Sequence, residues 1–381
     1  MKRKVAIIDP LGAHGSSHHF YLFGQAQGLT NIGVDVSLYT NKETDNPKIS
    51  GLEFYQFYGF LFSSKFKLLN GIKYILGSIR SVFHARIMGC SVFHFHIFYT
   101  NIFIFFNVCL VKILWGKVVL TIHDVNSFAS KNENSILITW IYKLTDLVLT
   151  HNEFSKIEIL KLSKIDTKKI RIIPHGNYIP FISIQNDKIA SRNRLKIPLN
   201  KKILLFFGMI KKVKGLEILL NSLKSVIEKN PDVLLVIAGR VWENDFSPYQ
   251  KIIKENDLQE YCLLHTKFIE NKDVPHYYCA SDLVVLPYKK IYQSGVLMMT
   301  LSFEKGVLTS NLPPLKEILK DNENGFLFES ENPTSLADKI NSVLSDEKQL
   351  ERVRKNGAEL IKTKYSWEEI GKKTKDAYQT L

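Results

Sequence analysis

The sequence predicts an α/β protein built from two doubly wound domains, each with a parallel sheet covered by helices. The chain has 381 residues, of which 45% are hydrophobic, and this is enough for two cores of ordinary size. Short apolar runs alternate with helical segments, as in parallel sheets that are buried on both faces. A polar stretch without periodicity, residues 179–202, separates two series of such runs. We therefore expect a linker there and a ligand site in the cleft between the domains.

Each predicted strand is a short run rich in β-branched, leucine and aromatic residues, which favour strands. The runs of the first series are KVAIID, DVSLYT, SVFHFH, KVVLTIHD, LVLTH and RIIPHG. The runs of the second series are KILLFFGM, VLLVIAGR, YCLLHTKF, DLVVLPY and GVLTS. The segments between them are helical, so each series predicts one doubly wound sheet.

The cysteines and the first residues predict a cytosolic protein. The four cysteines show neither Cys-x-x-Cys spacing nor a metal-ligand pattern, so we interpret them as small buried hydrophobes of a reducing compartment. The apolar stretch of MKRKVAIIDPLG is too short for a signal-peptide core and is interpreted as the first buried strand. The cysteines are Cys90, Cys109, Cys262 and Cys279.

The formal net charge of +14 is concentrated in the first half of the chain, and no acidic residue occurs between Glu53 and Asp124. Aromatic and basic residues alternate there, which suits nucleic acid, an anionic membrane or a phosphate-bearing substrate. An ordinary solvated basic face explains the pattern equally well. Nucleic acid is disfavoured because no recognisable reading module accompanies the charge. The basic residues are Lys65, Lys67, Lys73, Arg80, Arg86, Lys112 and Lys117.

Within that region, residues 97–111 form the most apolar stretch of the chain. Asn101 and Asn107 interrupt it and Lys112 ends it, and it is shorter than the roughly 20 residues that span a bilayer. We therefore predict a buried helix rather than a transmembrane one.

A glycine-rich turn follows the first predicted strand. Gly12 and Gly15 allow the backbone to turn closely, and Ser16 or Ser17 could cap the following helix. The pattern fits a phosphate-binding loop, but many turns of this kind bind no ligand.

Histidines follow or occupy other strands of the first half. His123 stands at a strand end beside Asp124, where a histidine is either a site residue or a structural one. His94 and His96 share one face of a strand, but the sequence supplies no third ligand in range. We therefore predict no metal site there.

The second series carries positive charge at a strand end. Gly208 ends a strand, Lys211 and Lys214 follow, and Gly215 lies near the start of an amphipathic helix. Two ammonium groups near a helix N-terminus favour an anion such as a diphosphate. The alternative is a basic surface loop.

The stretch IYQSGVLMMTLSFEKG predicts a helix that begins at Ser294 and Gly295 and has almost no polar side chains. No carboxylate occurs between Asp282 and Glu304. We interpret the bare helix tip as an anion site, with an ordinary serine-capped core helix as the alternative.

These motifs and several others resemble glycosyltransferase family 4, the retaining GT-B enzymes, in order and spacing. The resemblance covers nearly the whole chain, and the order of the motifs is more specific than any single one. The motifs are GMIKKVKGLEILL, IPHG, IAGR, ASDLVVLPY, the Ser294-Gly295 pair, PPLKEIL, NGFLF, TIHD and YSWEEI with Trp367.

The resemblance implies a GT-B fold with an acceptor-binding domain over 1–182, a donor-binding domain over 183–362 and a C-terminal helix over 363–381 that packs back on the first domain. It implies a metal-independent transferase without a cofactor, which uses a nucleotide sugar such as a UDP- or GDP-sugar as its donor substrate. The acceptor would be a glycan or a polyprenyl-diphosphate-linked sugar in bacterial O-antigen, capsule or exopolysaccharide synthesis. The protein would be cytoplasmic and peripheral on the inner face of the cell membrane, with the basic first half on the anionic surface.

The resemblance also assigns roles, with His123 as the catalytic residue. Lys211, Lys214, Ser294, Gly295 and Val296 would bind the donor diphosphate. Gly208, Arg240, Phe268, Gln293 and Glu317 would bind the donor sugar or nucleoside. Gly12, His14 and Gly15 would form the acceptor-side loop.

Two departures from the family leave the donor open. Ile291 and Met299 stand where the Glu-x7-Glu motif would place its carboxylates, although a subgroup with Gln-Ser-Gly resembles this chain. Pro313 and Pro314 replace the usual Gly-Gly turn and stiffen it. A catalytically silent relative that binds nucleotide sugars and a GT-B nucleotide-sugar epimerase are the alternatives to a transferase.

Overall fold

The chain forms two compact units. The computed structural model describes residues 3–14, 18–61, 66–125, 135–163, 165–184 and 187–381. Unit 1 comprises Met1–Gly176 and Tyr365–Leu381, and unit 2 comprises Asn177–Lys364. The functional domain bounds expected from the sequence, 1–182, 183–362 and 363–381, stay a prediction.

Unit 1 is built around a parallel sheet. Its strands are β1 (Lys4–Ile8), β2 (Val36–Asn41), β3 (Leu52–Tyr58), β4 (Cys90–Ile97), β5 (Lys117–Ile122), β6 (Leu147–Thr150) and β7 (Ile170–Ile172). Its described helices are α1 (His18–Asn31), α2 (Lys67–Ile87), α3 (Ile102–Ile113), α4 (Ser135–Leu144), α5 (Glu153–Leu162) and α14 (Trp367–Gln379). The strands lie in the order β3-β2-β1-β4-β5-β6-β7, with parallel pairing throughout the described ladders. The order reverses between β1 and β4, so ligands are expected beyond the carboxyl ends of these strands.

Unit 2 repeats the arrangement. Its strands are β8 (Lys202–Phe207), β9 (Val233–Ala238), β10 (Cys262–His265), β11 (Leu283–Leu286), β12 (Val307–Ser310) and β13 (Phe326–Phe328). Its helices are α6 (Lys188–Leu195), α7 (Leu216–Lys229), α8 (Ser247–Glu255), α9 (Val274–Ala280), α10 (Gly295–Ser302), α11 (Pro313–Lys316), α12 (Pro333–Ser345) and α13 (Glu347–Thr363). The parallel strands lie in the order β10-β9-β8-β11-β12-β13. The order reverses between β8 and β11.

The prediction of two doubly wound parallel sheets is confirmed, and every predicted run overlaps an observed strand. All residues of β2 and β9 are buried, which explains why such strands are visible as apolar runs. The sequence analysis missed β3 and β13. Strand β3 lies at a sheet edge and only Tyr58 is buried, while β13 has three residues. Neither strand therefore appears in the sequence as a long run of apolar residues.

The C-terminal helix α14 packs on α1 within unit 1. Trp367, at its start, is buried. A Cβ added to Gly24 would lie 2.0 Å from the Trp367 ring, and one added to Gly28 would lie 2.0 Å from the Trp367 carbonyl oxygen. The two glycines of α1 therefore allow the helices to approach at backbone distance.

We expect Gly28→Ala to destabilise unit 1 by about 1–3 kcal/mol, because the new methyl group must displace backbone rather than a flexible side chain. The matched control is Gly59→Ala, where nothing lies within 4 Å of the added Cβ. Urea unfolding of the two variants measures the difference. Equal midpoints for Gly28→Ala and wild type would show that α14 does not depend on this close approach.

The apolar stretch that begins at Ile97 corresponds to the end of β4 and to helix α3, which is only partly buried. Asn107, Val108 and Val111 are its buried residues, whereas Ile102 and Ile113 are 61% and 70% exposed. The helix packs against α2, α4 and β5. Within the described residues, none of the helices has the length and hydropathy needed to cross a bilayer.

Candidate active site

The first candidate site surrounds the start of α10 in unit 2, beside the carboxyl ends of β8 and β11. Ser294 is the N-cap of this helix, and its Oγ accepts a hydrogen bond from the Leu297 N–H at 3.1 Å. The helix and its serine cap are as the sequence predicts. The helix body is apolar because it is buried: Leu297, Met298, Met299, Thr300, Leu301 and Ser302 all lie in the interior. Binding of an anion at the tip stays a prediction.

Two glycines let the backbone of unit 2 approach this helix tip. Gly208 has a φ of 104°, and a Cβ added to it would lie 3.2 Å from Cγ2 of Val296. Gly295, the first helical residue, faces the hydroxyl of Tyr178, which would lie 2.9 Å from an added Cβ. The end of β8 and the first turn of α10 are therefore neighbours. A side chain at Gly208 would fill the space between them, whereas one at Gly295 would press on Tyr178.

The two predicted lysines lie over aromatic rings. The Nζ of Lys211 lies 4.0 Å from the centre of the Trp242 ring, and the Nζ of Lys214 lies 4.0 Å from that of Tyr288. The Tyr288 hydroxyl is in turn 3.2 Å from the Ser294 Oγ. Tyr288 thus contacts both Lys214 and the cap of α10, and its side chain lies between the ammonium group and the helix tip. Cation–π contacts of this kind hold a lysine without neutralising its charge.

The turn that carries these lysines is fixed by its own backbone. Gly215 has a φ of 67°, and a Cβ there would lie 1.9 Å from the Pro287 carbonyl oxygen. Lys289 pairs with Glu217 in the first turn of α7 at 2.6 Å. These two contacts hold the turn that carries Lys211 and Lys214 against the residues that follow β11.

The remaining residues predicted for the donor side are more dispersed. The carbonyl of Arg240, an exposed residue after β9, accepts a hydrogen bond from Ile210 N at 3.0 Å. Phe268 is 55% exposed and lines a groove of about 550 Å³ with Arg194, Lys267 and others. Gln293 is half-buried, and its Oε1 has no hydrogen-bond partner among the described residues.

Glu317 is exposed and follows the short helix α11, whose first residues are the two prolines. Its backbone N–H donates to the Pro313 carbonyl at 3.2 Å. The two prolines therefore form the first residues of a short helix at the position where the family has a Gly-Gly turn. The roles predicted for Glu317 and for the other dispersed residues stay predictions.

The predicted acceptor-side loop follows β1 in unit 1. Gly12 has a φ of 48°, and its N–H donates to the Asp9 carboxylate at 2.7 Å. His14 lies 2.8 Å from Glu43. The other Asp9 oxygen is 2.9 Å from Nε2 of His18, and both side chains are buried. Asp9 therefore organises the loop. Gly15, Ser16 and Ser17 lie outside the described residues.

His123, the predicted catalytic residue, belongs to a cluster of buried histidines beyond the strand ends of unit 1. It is 2% exposed, and its ring nitrogens each lie 3.0 Å from another histidine: Nε2 from Nδ1 of His96, and Nδ1 from Nε2 of His151. His18 approaches within 5.0 Å between ring centres, and His175 lies 5.8 Å from the His151 ring. The sequence analysis singled out His123 without these partners.

Burial determines the charge of this cluster. Loss of water lowers the pKa of His123 and His96 well below the ordinary value, and neighbouring histidines lower it further. Burial lowers the pKa of His151 to about 4, although its hydrogen bond to the Ile173 carbonyl opposes the shift. The pKa values of His94 and His175 fall to about 3 for the same reason. These five histidines are therefore neutral at pH 7.

We expect unit 1 to lose stability in mild acid. Below pH 6.5 the unfolded chain binds protons that these buried histidines reject, so the free energy of unfolding falls as the pH falls towards 4. One such histidine costs about 2 kcal/mol at pH 5. Urea unfolding at pH 7 and at pH 5 measures the loss. An unfolding midpoint for unit 1 that stays constant over this interval would contradict the burial of neutral histidines.

Three histidines have the composition of a metal site. Ring nitrogens of His18, His96 and His123 lie within 4.8 Å of one another. The rings of His94 and His96, the pair considered from the sequence, stack at 4.7 Å between their centres, but both nitrogens of His94 already bond Tyr378 and Thr121, each at 2.6 Å. In the cluster, His96 and His123 share a hydrogen bond and His18 bonds the Asp9 carboxylate. Their nitrogens are thus satisfied without an ion, and metal independence stays a prediction.

Two family models match the chain, one in each half. Residues 20–177 match the model of Glycosyltransferase Family 4. Residues 187–360 match the model of Glycosyl transferases group 1.

Curated relatives are similar at low identity. Spore coat protein SA of Bacillus subtilis is 29% identical over 47% of this chain, and the match spans 49% of that relative. The capsular polysaccharide biosynthesis glycosyltransferase CapM of Staphylococcus aureus is 24% identical, with 62% of each chain covered. The chain thus spans between about half and two thirds of the length of these relatives.

Solved structures resemble the whole chain. The Anabaena HepE protein in complex with UDP-glucose aligns with a TM-score of 0.76 and 16% identity, over 99% of this chain and 100% of that one. This likeness, together with the two sheets, confirms the GT-B fold.

Proposed function

Because the chain is a GT-B protein of the glycosyltransferase family 4 type, we propose that it transfers a sugar from a nucleotide-sugar donor to a glycan or lipid-linked acceptor. The transfer retains the anomeric configuration and serves bacterial cell-surface polysaccharide synthesis. The CapM relative, named for capsular polysaccharide biosynthesis, supports this setting. The HepE structure, solved with UDP-glucose, supports a UDP-sugar as the donor to test first.

One observation carries the proposal: the start of α10 combines a helix N-terminus with nearby cations. The first-turn N–H groups of a helix have no partners within it, and the helix dipole places about half a positive charge there. Ser294 satisfies one of these groups. Lys214 lies over Tyr288, beside the cap. A nucleoside diphosphate has the charge and size to occupy this position.

The same groups would stabilise the leaving diphosphate. Charge accumulates on its oxygen as the bond to the sugar breaks, and fixed donors with nearby cations lower the energy of that state. Lys211, Lys214 and the helix dipole supply the positive charge that a divalent metal would otherwise supply. A front-face mechanism follows, in which the leaving phosphate oxygen helps to accept the proton of the acceptor hydroxyl.

The experiment that tests the proposal is a survey of purified UDP-, GDP- and ADP-sugars, with donor cleavage and sugar transfer followed by mass spectrometry. Cleavage of at least one donor, accelerated by an acceptor glycan, is the expected result. Binding of a donor without cleavage would indicate the silent relative. Conversion of the donor to another sugar nucleotide without any acceptor would indicate the epimerase.

We also propose that unit 1 binds the anionic membrane surface through α2. A stripe of exposed apolar residues runs along this helix: Leu68, Ile72, Leu76, Phe83 and Ile87 are between 45% and 81% exposed. Lys73, Arg80 and Arg86 lie on the same helix. Exposed apolar side chains among basic ones suit shallow insertion into a charged interface. Lys65 and the side chain of Lys67 lie outside the described residues.

Vesicle co-sedimentation tests the membrane proposal. Each basic residue near an anionic surface contributes about 1 kcal/mol, so binding should require anionic lipid and weaken as salt is added. Leu68→Ser combined with Leu76→Ser should reduce binding several-fold. Ile189→Ser, at a residue of α6 that is 61% exposed, should leave it unchanged. Equal binding to neutral vesicles, or a double variant that binds like wild type, would overturn the proposal.

A further inference from the structure

We infer that Gln25, His96 and His151 are positioning residues that hold His123 in one tautomer, with its proton on Nδ1, through a one-directional chain of hydrogen bonds. This chain joins the amide of Gln25 in α1 to the carbonyl of Ile173 after β7. The inference rests on the proposed function only where it assigns His123 a part in transfer. The tautomers themselves follow from hydrogen-bond chemistry.

The hydrogen bond to the Ile173 carbonyl sets the donor-to-acceptor direction of the whole series of hydrogen bonds. The Nδ1 of His151 lies 3.0 Å from the Ile173 carbonyl oxygen, which can only accept, so this nitrogen must carry a proton. A neutral imidazole has one N–H, and the Nε2 of His151 is therefore an acceptor. That nitrogen lies 3.0 Å from Nδ1 of His123. His123 must consequently donate from Nδ1.

Because a neutral imidazole has only one N–H, the protonated nitrogen of His96 can be assigned in the same way. With its proton on Nδ1, His123 has a bare Nε2, which lies 3.0 Å from Nδ1 of His96. His96 donates there and is left with a bare Nε2. This nitrogen needs a donor, and Gln25 is its neighbour. All three histidines therefore carry their proton on Nδ1.

The amide of Gln25 completes the chain when its nitrogen faces His96. The amide oxygen is placed 2.9 Å from the Nε2 of His96, and the amide nitrogen is buried without a partner among the described residues. The two orientations of an amide differ by a half-turn, and hydrogen bonding decides between them. An oxygen facing a bare Nε2 would set two acceptors against each other. We therefore assign the nitrogen to the position nearest His96.

The opposite direction requires an extra proton in the interior. If the Gln25 oxygen accepted from His96, each histidine would donate from Nε2, and His151 would need protons on both nitrogens to keep its bond to Ile173. Burial lowers the pKa of His151 to about 4, which disfavours this imidazolium at neutral pH. The titratable groups around the three rings are Asp9 with His18, together with Tyr21, His94, His175 and Tyr378.

The fixed tautomer has a chemical consequence for His123. Both of its nitrogens are occupied in the ring plane, and one ring face stacks on Phe98 at 4.7 Å. The imidazole is thus held neutral and in one orientation. Glycosyl transfer passes through a state with positive charge on the sugar, and a neutral ring does not repel that charge. Gln25, His96 and His151 act on the reaction only through His123.

The test is the protonation state of each ring nitrogen, measured by ¹⁵N NMR of the full chain with labelled histidine at pH 7.5. Single histidine variants assign the signals. The expected result is a proton on Nδ1 and a bare Nε2 in His96, His123 and His151. A proton on Nε2 of His123 would overturn the inference. This readout needs no substrate, so it stands even if no donor is ever cleaved.

Gln25→Glu provides the second arm, because an ionised carboxylate can accept but cannot donate. His96 and His123 should then carry their protons on Nε2, and His151 should carry one on each nitrogen, with its charge balanced by the new carboxylate. The acid limb of the kcat profile should shift with KM unchanged. Gln27→Glu, two residues along the same helix and half-buried, is the matched control and should change none of these. A folded Gln25→Glu variant with the wild-type tautomers and pH profile would refute the positioning role.

Discussion

The Ser294→Asp variant should fold and should bind nucleoside diphosphates about 100-fold more weakly than wild type, or worse. Aspartate is a good N-cap, so it can accept the Leu297 N–H in place of the serine oxygen. Its carboxylate would occupy the position proposed for the diphosphate. Two like charges about 4 Å apart near a protein surface repel by about 4 kcal/mol, which corresponds to about 700-fold in affinity, so a loss of at least 100-fold is expected. Titration calorimetry and thermal unfolding measure both effects.

Two controls separate charge from shape. Ser294→Asn introduces a side chain of the same size and capping ability without the charge, and its affinity should stay within several-fold of wild type. Asn332→Asp places a carboxylate on the N-cap of α12 in the same unit and should leave the affinity unchanged. A folded Ser294→Asp protein with wild-type affinity would make α10 an ordinary serine-capped core helix.

His123→Ala should lower kcat by about 100-fold or more, because a displacement of the reacting groups by about 1 Å can cost about 100-fold. The side chain lies in the interior of unit 1, so the variant also removes two hydrogen bonds from the histidine cluster. Affinity for nucleoside diphosphate should stay unchanged, because Ser294 and Lys214 belong to unit 2. Circular dichroism establishes that the variant is folded. Turnover near the wild-type value would exclude His123 from the reaction.

The sheets were predictable because parallel strands buried on both faces appear as continuous apolar runs. Strand β3 was missed because Glu53 and Gln56 interrupt its pattern at the sheet edge. Helix α3 was expected to be buried because its stretch is apolar and too short to span a bilayer, although Ile102 and Ile113 are exposed. Hydropathy identifies what can be buried, but the packing of neighbouring elements decides what is buried.

The lysine turn of unit 2 was predictable for a local reason. Gly208 and Gly215 mark the tight backbone around Lys211 and Lys214, and both glycines have positive φ. Tyr288 was missed, although it follows β11 directly, on the other side of the strand reversal. Only the sheet order brings its ring beneath Lys214 and its hydroxyl to Ser294.

Two further histidines of the cluster could have been predicted by the argument that identified His123, which is its position after a strand. His123, His151 and His175 each follow a strand or strand-like run of the first series. The carboxyl ends of parallel strands meet at one edge of a sheet, so the three were candidates for one cluster. His18 comes from a helix, and its approach to His123 depends on how α1 packs, which no local pattern encodes.

The central claim is that the start of α10 and the neighbouring lysines form a diphosphate site. The most direct measurement is the affinity of wild-type protein for a nucleoside, its monophosphate and its diphosphate, with uridine and guanosine series compared by calorimetry. Charge-assisted hydrogen bonds contribute about 1.5–3 kcal/mol each, so in one series the diphosphate should bind at least about ten-fold more tightly than the monophosphate. Equal affinities for the monophosphate and the diphosphate in both series would contradict the account.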